Sequence, residues 1–266
     1  MGAIAVVGGG TMGATFIRAV TSARLATQDE IVVCEALDTR RAWLASEFDG
    51  VGVTGDFSEA VCGADVIYLS VKPQDLSSLR PELLDPSQLT ISILAGSTMT
   101  SVQAALGHDR VVRAMPNTPA QIGRGLTVWT AADCVTQSER ERTRQLLGAM
   151  GVEIYAADES VIDKATAVNG SGPAYVFLLI EAMINGAVTI GLRPDEARRM
   201  VLETVIGSAE FVSQSGEHPA VLRDMVTSPG GTTAAGVRVL ENRAVRAAMI
   251  EAIAAAHARA EELGRG

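Results

Sequence analysis

The sequence predicts two domains, an α/β domain on a doubly wound sheet followed by an all-α domain, and three observations carry that prediction. A glycine-rich turn separates a short apolar run from an amphipathic stretch at the N-terminus. Short β-branched runs then alternate with helical sequence as far as about residue 157. Beyond that point come long helical segments without a convincing strand, and alternation followed by pure helix marks two differently built domains. The expected spans are 1–157 and 158–266. A chain of 266 residues with 47% hydrophobic content is long enough to bury both cores.

The elements follow in order. AIAVV (3–7) reads as a buried strand closed by glycine, GGGTMG (8–13) as a turn, and 14–25 as an amphipathic helix. IVVCE (31–35) is the next strand and RRAWLASEF the crossover helix after it. DVIYLSV (65–71) and LTISILA (89–95) are unbroken apolar runs, as expected of parallel strands covered by helices on both faces. RVVRAM, LTVWTA and VEIYA supply further strands, with a helix from about Ser138 to Met150 before the last. The second domain reads as helices at about 160–190, 194–214 and 233–263, broken at GLRP, GEHP and TSPGG. Its final alanine-rich AIAAAHARAEE permits the close backbone approach of a dimer interface. Because no Gly/Ser linker separates the halves, the domains are expected to pack firmly with the site between them.

Charge and cysteine usage narrow the function classes. A net charge of −9 without a basic run argues against a nucleic-acid partner. The three cysteines, Cys34, Cys62 and Cys134, are odd in number and far apart, which suggests neither a disulfide framework nor a C-x-x-C metal site and fits a reducing cytoplasm. AIAVVGGG is too short and glycine-broken for a membrane span and lacks the flanks of a signal peptide. His108, His218 and His257 are scattered and expected in solvated or helix-surface roles.

Gly8, Gly10 and Gly13 satisfy G-x-G-x-x-G between a strand and a helix, with Thr11 and Met12 inside the turn. In a dinucleotide site the first glycine allows the tight turn, the second lets backbone approach a pyrophosphate, and the third lets helix and strand pack closely. Glu35, ending the second strand, is placed to accept from adenosine ribose hydroxyls, which predicts a mild NADH preference. Arg40 and Arg41 stand just beyond and favour a 2′-phosphate instead, so the two signals conflict. Lys72 and Pro73, Ala95 and Gly96, and the rigid MPNTP loop carrying Asn117 follow further strands, where doubly wound sheets bind ligands. In the helical domain Ser171, Gly172 and Pro173 open one helix, and SPGGTT opens another. Such helix starts offer unpaired amides to a small carboxylate. Gly230 and Gly231 bring the backbone close there, while Thr232 or Thr233 offers a hydroxyl to the reacting atom.

GSGPAY and MVTSPGGTT, behind GGGTMG, LSVKPQ and MPNTPA, give a chain that over essentially its whole length resembles the pyrroline-5-carboxylate reductase family. The resemblance implies a Rossmann-type domain and a helical domain that interlocks with a second subunit. It implies reduction of the C=N bond of 1-pyrroline-5-carboxylate to L-proline with NADPH or NADH, by a cytoplasmic homo-oligomer, dimeric or larger such as a decamer, with no metal, membrane or nucleic-acid partner. By position, Gly8 to Gly13 would hold the pyrophosphate and Asp56 would lie near the adenosine ribose. Lys72, Pro73, Ala95 and Asn117 would border the nicotinamide half. Gly230 to Thr233 and Ser171 would receive the substrate, Thr233 reaching the ring nitrogen, with Glu159 an acid near the pocket. Glu35 and Asp56 depart from NADPH-preferring members and leave cofactor preference open. The resemblance also leaves a reductase of another cyclic imino acid as an alternative, with a hydroxyacid-type dehydrogenase or a silent nucleotide sensor behind it.

Overall fold

The structure is a computed structural model and describes residues 3–79 and 81–265. The chain divides into two compact units: residues up to Ser171 together with the stretch from Ala256 onward, and Gly172–Ala255. The first unit is built on an eight-stranded sheet. Its strands are β1 (Ile4–Val7), β2 (Ile31–Cys34), β3 (Gly52–Thr54), β4 (Val66–Leu69), β5 (Leu89–Ser92), β6 (Val111–Met115), β7 (Gly125–Ala131) and β8 (Gly151–Tyr155), in the order β3-β2-β1-β4-β5-β6-β7-β8.

Strands β1 to β6 pair in parallel, and the order reverses between β1 and β4. Alternate side chains explain the unbroken apolar runs. Ile4, Val6, Val66 and Tyr68 enter one core with Phe16, Ile17 and Leu44, while Ala5, Val7, Ile67 and Leu69 enter another with Val61, Val102 and Leu106. Those partners come from α1 (Thr11–Ser22) and α2 (Asp38–Glu47) on one face, and from α3 (Phe57–Val61) and α4 (Met99–Leu106) on the other. Tyr68 stacks on Phe16 with ring centroids 3.9 Å apart, and burial drives its hydroxyl pKa well up.

Two features of the sheet differ from the sequence expectation. The edge strand β3 was not foreseen. Strand β7 runs antiparallel to β6, because the connection through Thr118–Ile122 is too short for the crossover that a parallel pair requires. Helix α5 (Gln137–Gly148), opened by a capping box between Thr136 and Glu139, supplies that crossover between β7 and β8, which are parallel. The expected histidine exposure is also corrected at one position. His108 is buried, with Nε2 3.3 Å from the Thr90 hydroxyl, and its burial lowers its pKa below the usual histidine value.

The change from alternating strands and helices to pure helix divides the sequence at 157/158, whereas the compact units divide at Ser171/Gly172. Helix α6 (Ser160–Ala165) goes with the sheet because Ile162 and Ala165 form a small core with Val128 and Ala156. The expected helix at 160–190 is interrupted by a π turn over Thr166–Gly170. In the second unit, α7 (Gly172–Thr189) and α8 (Pro194–Ser215) are followed by α9 (Pro219–Met225), α10 (Thr232–Asn242) and the first half of α11 (Val245–Arg265), whose residues from Ala256 onward count with the first unit. Helix α9 was not foreseen. The single helix expected at 233–263 breaks where Ala244 takes φ 54°, at a place with neither glycine nor proline.

The second unit carries large apolar side chains on its outside. Phe177, Leu178, Met200, Leu240 and Ile250 are each more than half exposed, and no residue of α7 is buried. An apolar exterior of that extent on a helical unit marks an association surface.

Candidate active site

The glycine loop shows a division of labour among its residues. Gly8 takes φ +100°, and a Cβ there would sit 2.7 Å from the Ser70 carbonyl carbon and oxygen at the end of β4. A Cβ on Gly13 would run into the Gly8 carbonyl oxygen. At Gly10 a Cβ would meet nothing within 4 Å. Two glycines thus pack the turn against strand and helix, and the third leaves backbone facing open space. The Ser70 hydroxyl donates to the Gly8 carbonyl at 2.7 Å, and the Gly8 amide donates to Cys34 at 2.9 Å. Thr11 is exposed at the head of α1, and Met12 packs against the core below.

This loop opens onto a cavity of about 880 Å³, lined among others by Gly8, Gly10, Glu35, Arg40, Trp43 and Lys72. It lies at the carboxyl ends of β1, β2 and β4, beside the reversal of strand order, where a doubly wound sheet binds a nucleotide. Its volume, the open face at Gly10 and the free amides heading α1 fit a dinucleotide. Glu35, foreseen as a ribose acceptor, accepts from two main-chain amides, Gly9 N on Oε2 and Leu37 N on Oε1, each at 3.0 Å. It therefore ties β2 to the glycine loop. Burial, together with the carboxylates of Glu35 and Asp56, pushes the neighbouring Cys34 thiol up to about 11.

The two arginines after β2 differ in their commitments. Arg41 donates to the carbonyls of Glu35 and Ala36 at 2.7 and 2.8 Å and pairs with Asp38. Arg40 donates through Nε to the Gly9 carbonyl at 2.6 Å, and its guanidinium lies 3.9 Å from the Trp43 ring centroid. Asp56 caps α3, accepting from the Ser58 amide and hydroxyl at 2.8 Å. Lys72 and Pro73 are exposed at the start of a 3-10 turn. Half-buried Ala95 precedes Gly96, whose φ of +72° turns the chain toward α4.

A second cluster lies at the far end of β6. Asn117 accepts through Oδ1 from the Leu126 amide at 2.9 Å, which fixes the MPNTP loop against β7. The buried Asn169, inside the π turn, donates through Nδ2 to the Met115 and Leu126 carbonyls, both at 2.9 Å. Glu159 accepts on Oε1 from the Met99 amide at 2.7 Å and from Arg113 at 2.8 Å. Arg113, only 2% exposed, also binds Asp163 at 2.6 Å and so ties β6 to α6. Neither Arg113 nor Asn169 stands out in the sequence by motif or spacing, although a charge inside the apolar run RVVRAM is a visible signal.

In the second unit the Ser228 carbonyl accepts from the Gly231 amide at 3.0 Å across Pro229 and Gly230, with Gly230 at φ +70°. Proline followed by a left-handed glycine is the signature of a tight turn. Helix α10 begins directly after it, with Gly231 as an N-cap that offers no side chain. The amides of Thr232 and Thr233 therefore head the helix without an intrahelical acceptor. Thr233 is half-buried and Thr232 exposed. Ser171, half-buried, closes the π turn, its amide donating to the Thr166 carbonyl at 2.9 Å.

A nucleotide cavity on a doubly wound sheet, carried by a chain whose helical unit has an apolar exterior, defines the class: a Rossmann-type, dinucleotide-dependent oxidoreductase. Comparison with known proteins agrees and narrows it. Residues 159–263 match the family model described as pyrroline-5-carboxylate reductase dimerisation, and residues 3–96 match NADP oxidoreductase coenzyme F420-dependent. The chain is 39% identical to the pyrroline-5-carboxylate reductase of Synechocystis, covering 98% of each. Its fold matches the pyrroline-5-carboxylate reductase of Coxiella burnetii at a TM-score of 0.86 and 33% identity, again over 98% of each chain. The Plasmodium falciparum pyrroline carboxylate reductase, solved with NADP bound, gives 0.89 at 27% identity, with 98% of each chain covered. The chain belongs to the pyrroline-5-carboxylate reductase family. It is an oxidoreductase that reduces pyrroline-5-carboxylate to proline, and it forms a homo-oligomer.

Proposed function

We propose that the chain carries out this reduction with NADPH or NADH through the residues described above, as a homodimer or a larger assembly such as a decamer, soluble in the cytoplasm. The observation that carries the reading is the presence, in one chain, of a glycine loop open only at Gly10 and, after the Pro229–Gly230 turn, a helix head with free amides at Thr232 and Thr233. The first suits a pyrophosphate and the second a small carboxylate, since both use backbone N–H groups at the positive end of a helix.

The amides from Gly10 to Gly13 hold the pyrophosphate. Asp56 would lie near the adenosine ribose, with Glu35 beside it holding the glycine loop through the Gly9 and Leu37 amides, and Lys72, Pro73, Ala95 and Asn117 would border the nicotinamide. The reduced nicotinamide, when bound, supplies a hydride to the imine carbon. The chain binds the substrate carboxylate at the Gly230–Thr233 helix head, through the amides of Thr232 and Thr233, and Ser171 and Glu159 are further substrate-binding residues. The Thr233 hydroxyl orients the ring nitrogen and holds its proton. A cyclic imine binds already protonated, so orientation contributes more than proton transfer. Thr233→Ala is expected to lower kcat roughly ten- to hundredfold and to leave cofactor affinity nearly unchanged. Unaltered turnover in that variant would remove Thr233 from the mechanism.

The run Ser160–Thr189 is long and apolar enough to cross a bilayer by length and composition. A second copy, rather than lipid, covers its apolar side, a reading supported by the dimerisation-family match over the same residues. Light scattering at micromolar concentration should give at least a dimer mass in detergent-free buffer, and a monomer would contradict it.

A further inference from the structure

The glycine-loop cavity holds a cation whose placement the fold accounts for only in part. Arg41 is consumed by the carbonyls of Glu35 and Ala36 and by Asp38. Arg40 uses only its Nε, toward Gly9; its two Nη groups have no partner among the described residues, and no carboxylate lies within ion-pair distance of it. One face of its guanidinium rests on Trp43, and Arg40 and Trp43 both line the cavity together with Thr39. An arginine held at Nε and stacked on an indole is pre-organised, so little side-chain entropy remains to be lost when its Nη fork meets an anion.

The opposing charge is partly committed elsewhere. Glu35 is the acid expected to repel a phosphate on the adenosine ribose, yet each of its oxygens already accepts from a main-chain amide. Two N–H donors satisfy much of the carboxylate and hold it against the glycine loop, although Glu35 still lines the cavity. Of the other charged side chains lining the cavity, Lys72 and Asp75 follow β4 and offset one another.

Building on the nucleotide reading above, we propose that Arg40, and not Arg41, is the specificity-determining residue of the cofactor site: its Nη groups bind the 2′-phosphate of NADPH, and the chain prefers NADPH over NADH. Charge-assisted hydrogen bonds of this kind change affinity by roughly ten- to hundredfold.

The test combines turnover with binding. Steady-state kcat/KM with NADPH and NADH, and calorimetric titration of NADP+ and NAD+ without substrate, are measured for the wild type, Arg40→Met, Arg40→Lys and Arg41→Met. The wild type should favour the phosphorylated cofactor in both assays. Arg40→Met should lose about ten- to hundredfold for NADPH and NADP+ while the NADH and NAD+ values move less than about threefold. Arg40→Lys should fall between them, and Arg41→Met should keep the wild-type ratio at whatever stability it retains. A wild-type preference for NADH, or an Arg40→Met loss equal for both cofactors, would overturn the proposal. So would a collapse of preference in Arg41→Met. Turnover with neither cofactor would count against the reductase reading, while the titration would still decide the role of Arg40.

Discussion

Replacing two glycines of the same loop should separate stability from cofactor binding. Gly10→Ala adds a methyl where nothing lies within 4 Å, at a residue whose φ of −64° suits alanine. The folded state loses nothing, and the stiffer unfolded chain favours folding by about 0.4–1 kcal/mol. The same methyl stands where the pyrophosphate approaches the backbone, and displacing one charge-assisted hydrogen bond costs about 1.5–3 kcal/mol, roughly ten- to hundredfold in affinity. Gly13→Ala reverses the pattern. Within α1 alanine is favoured by about 1 kcal/mol, but here its methyl runs into the Gly8 carbonyl oxygen. That oxygen cannot retreat freely, because Ser70 Oγ holds it at 2.7 Å and lies 3.0 Å from the new methyl. Overpacking against backbone at the upper end of the usual range, about 3 kcal/mol, leaves a net loss near 2 kcal/mol. In a chain of this size that loss lowers Tm by about 4–8 °C. Calorimetry and NADP+ titration of both variants read the two effects separately. A Gly10→Ala protein that binds cofactor like the wild type, or a Gly13→Ala protein that melts at or above it, would refute the assignment of roles.

Three further outcomes follow from buried groups. Arg113→Met leaves the partly exposed carboxylates of Glu159 and Asp163 without their cation and should cost about 1.5–3 kcal/mol in urea denaturation, with an undiminished midpoint as the contrary result. His108 has a folded pKa lowered mainly by burial, with Arg110 adding to the fall and Asp109 opposing it. The unfolded chain therefore takes up the proton first, and stability is lost as pH drops below about 6.5 toward the folded value. His108→Asn should flatten that part of the pH–stability curve, and an unchanged curve would remove His108 as its cause. Cys34, its thiol raised to about 11 and half-buried, should react with a thiol reagent at mildly alkaline pH far more slowly than exposed Cys62. Mass-spectrometric labelling in time course would show the reverse order if the burial argument failed.

Local chemistry was legible in the sequence, and pairing was not. The turn from β1 into α1 could be read because each glycine answers a need within a few residues of itself. Strand β3 could not, since three residues show no periodicity and the strand exists only by pairing with β2. The direction of β7 is set by the shortness of its connection rather than by anything in LTVWTA. Glu35 was visible as an acid at a strand end, but its amide partners depend on how the loop folds back. Arg113 and Asn169 gain their meaning from carbonyls and carboxylates many residues distant. The break at Ala244 carries no glycine or proline, and an Ala-rich context reads as continuous helix.

The central claim is tested most directly by supplying the purified chain with NADPH or NADH and either 1-pyrroline-5-carboxylate or its six-membered homologue, and following the loss of reduced-nicotinamide absorbance. Rapid turnover of the five-membered ring, with proline as product, is the predicted result. Turnover confined to the larger ring, or none with either despite measurable cofactor binding, would contradict the account.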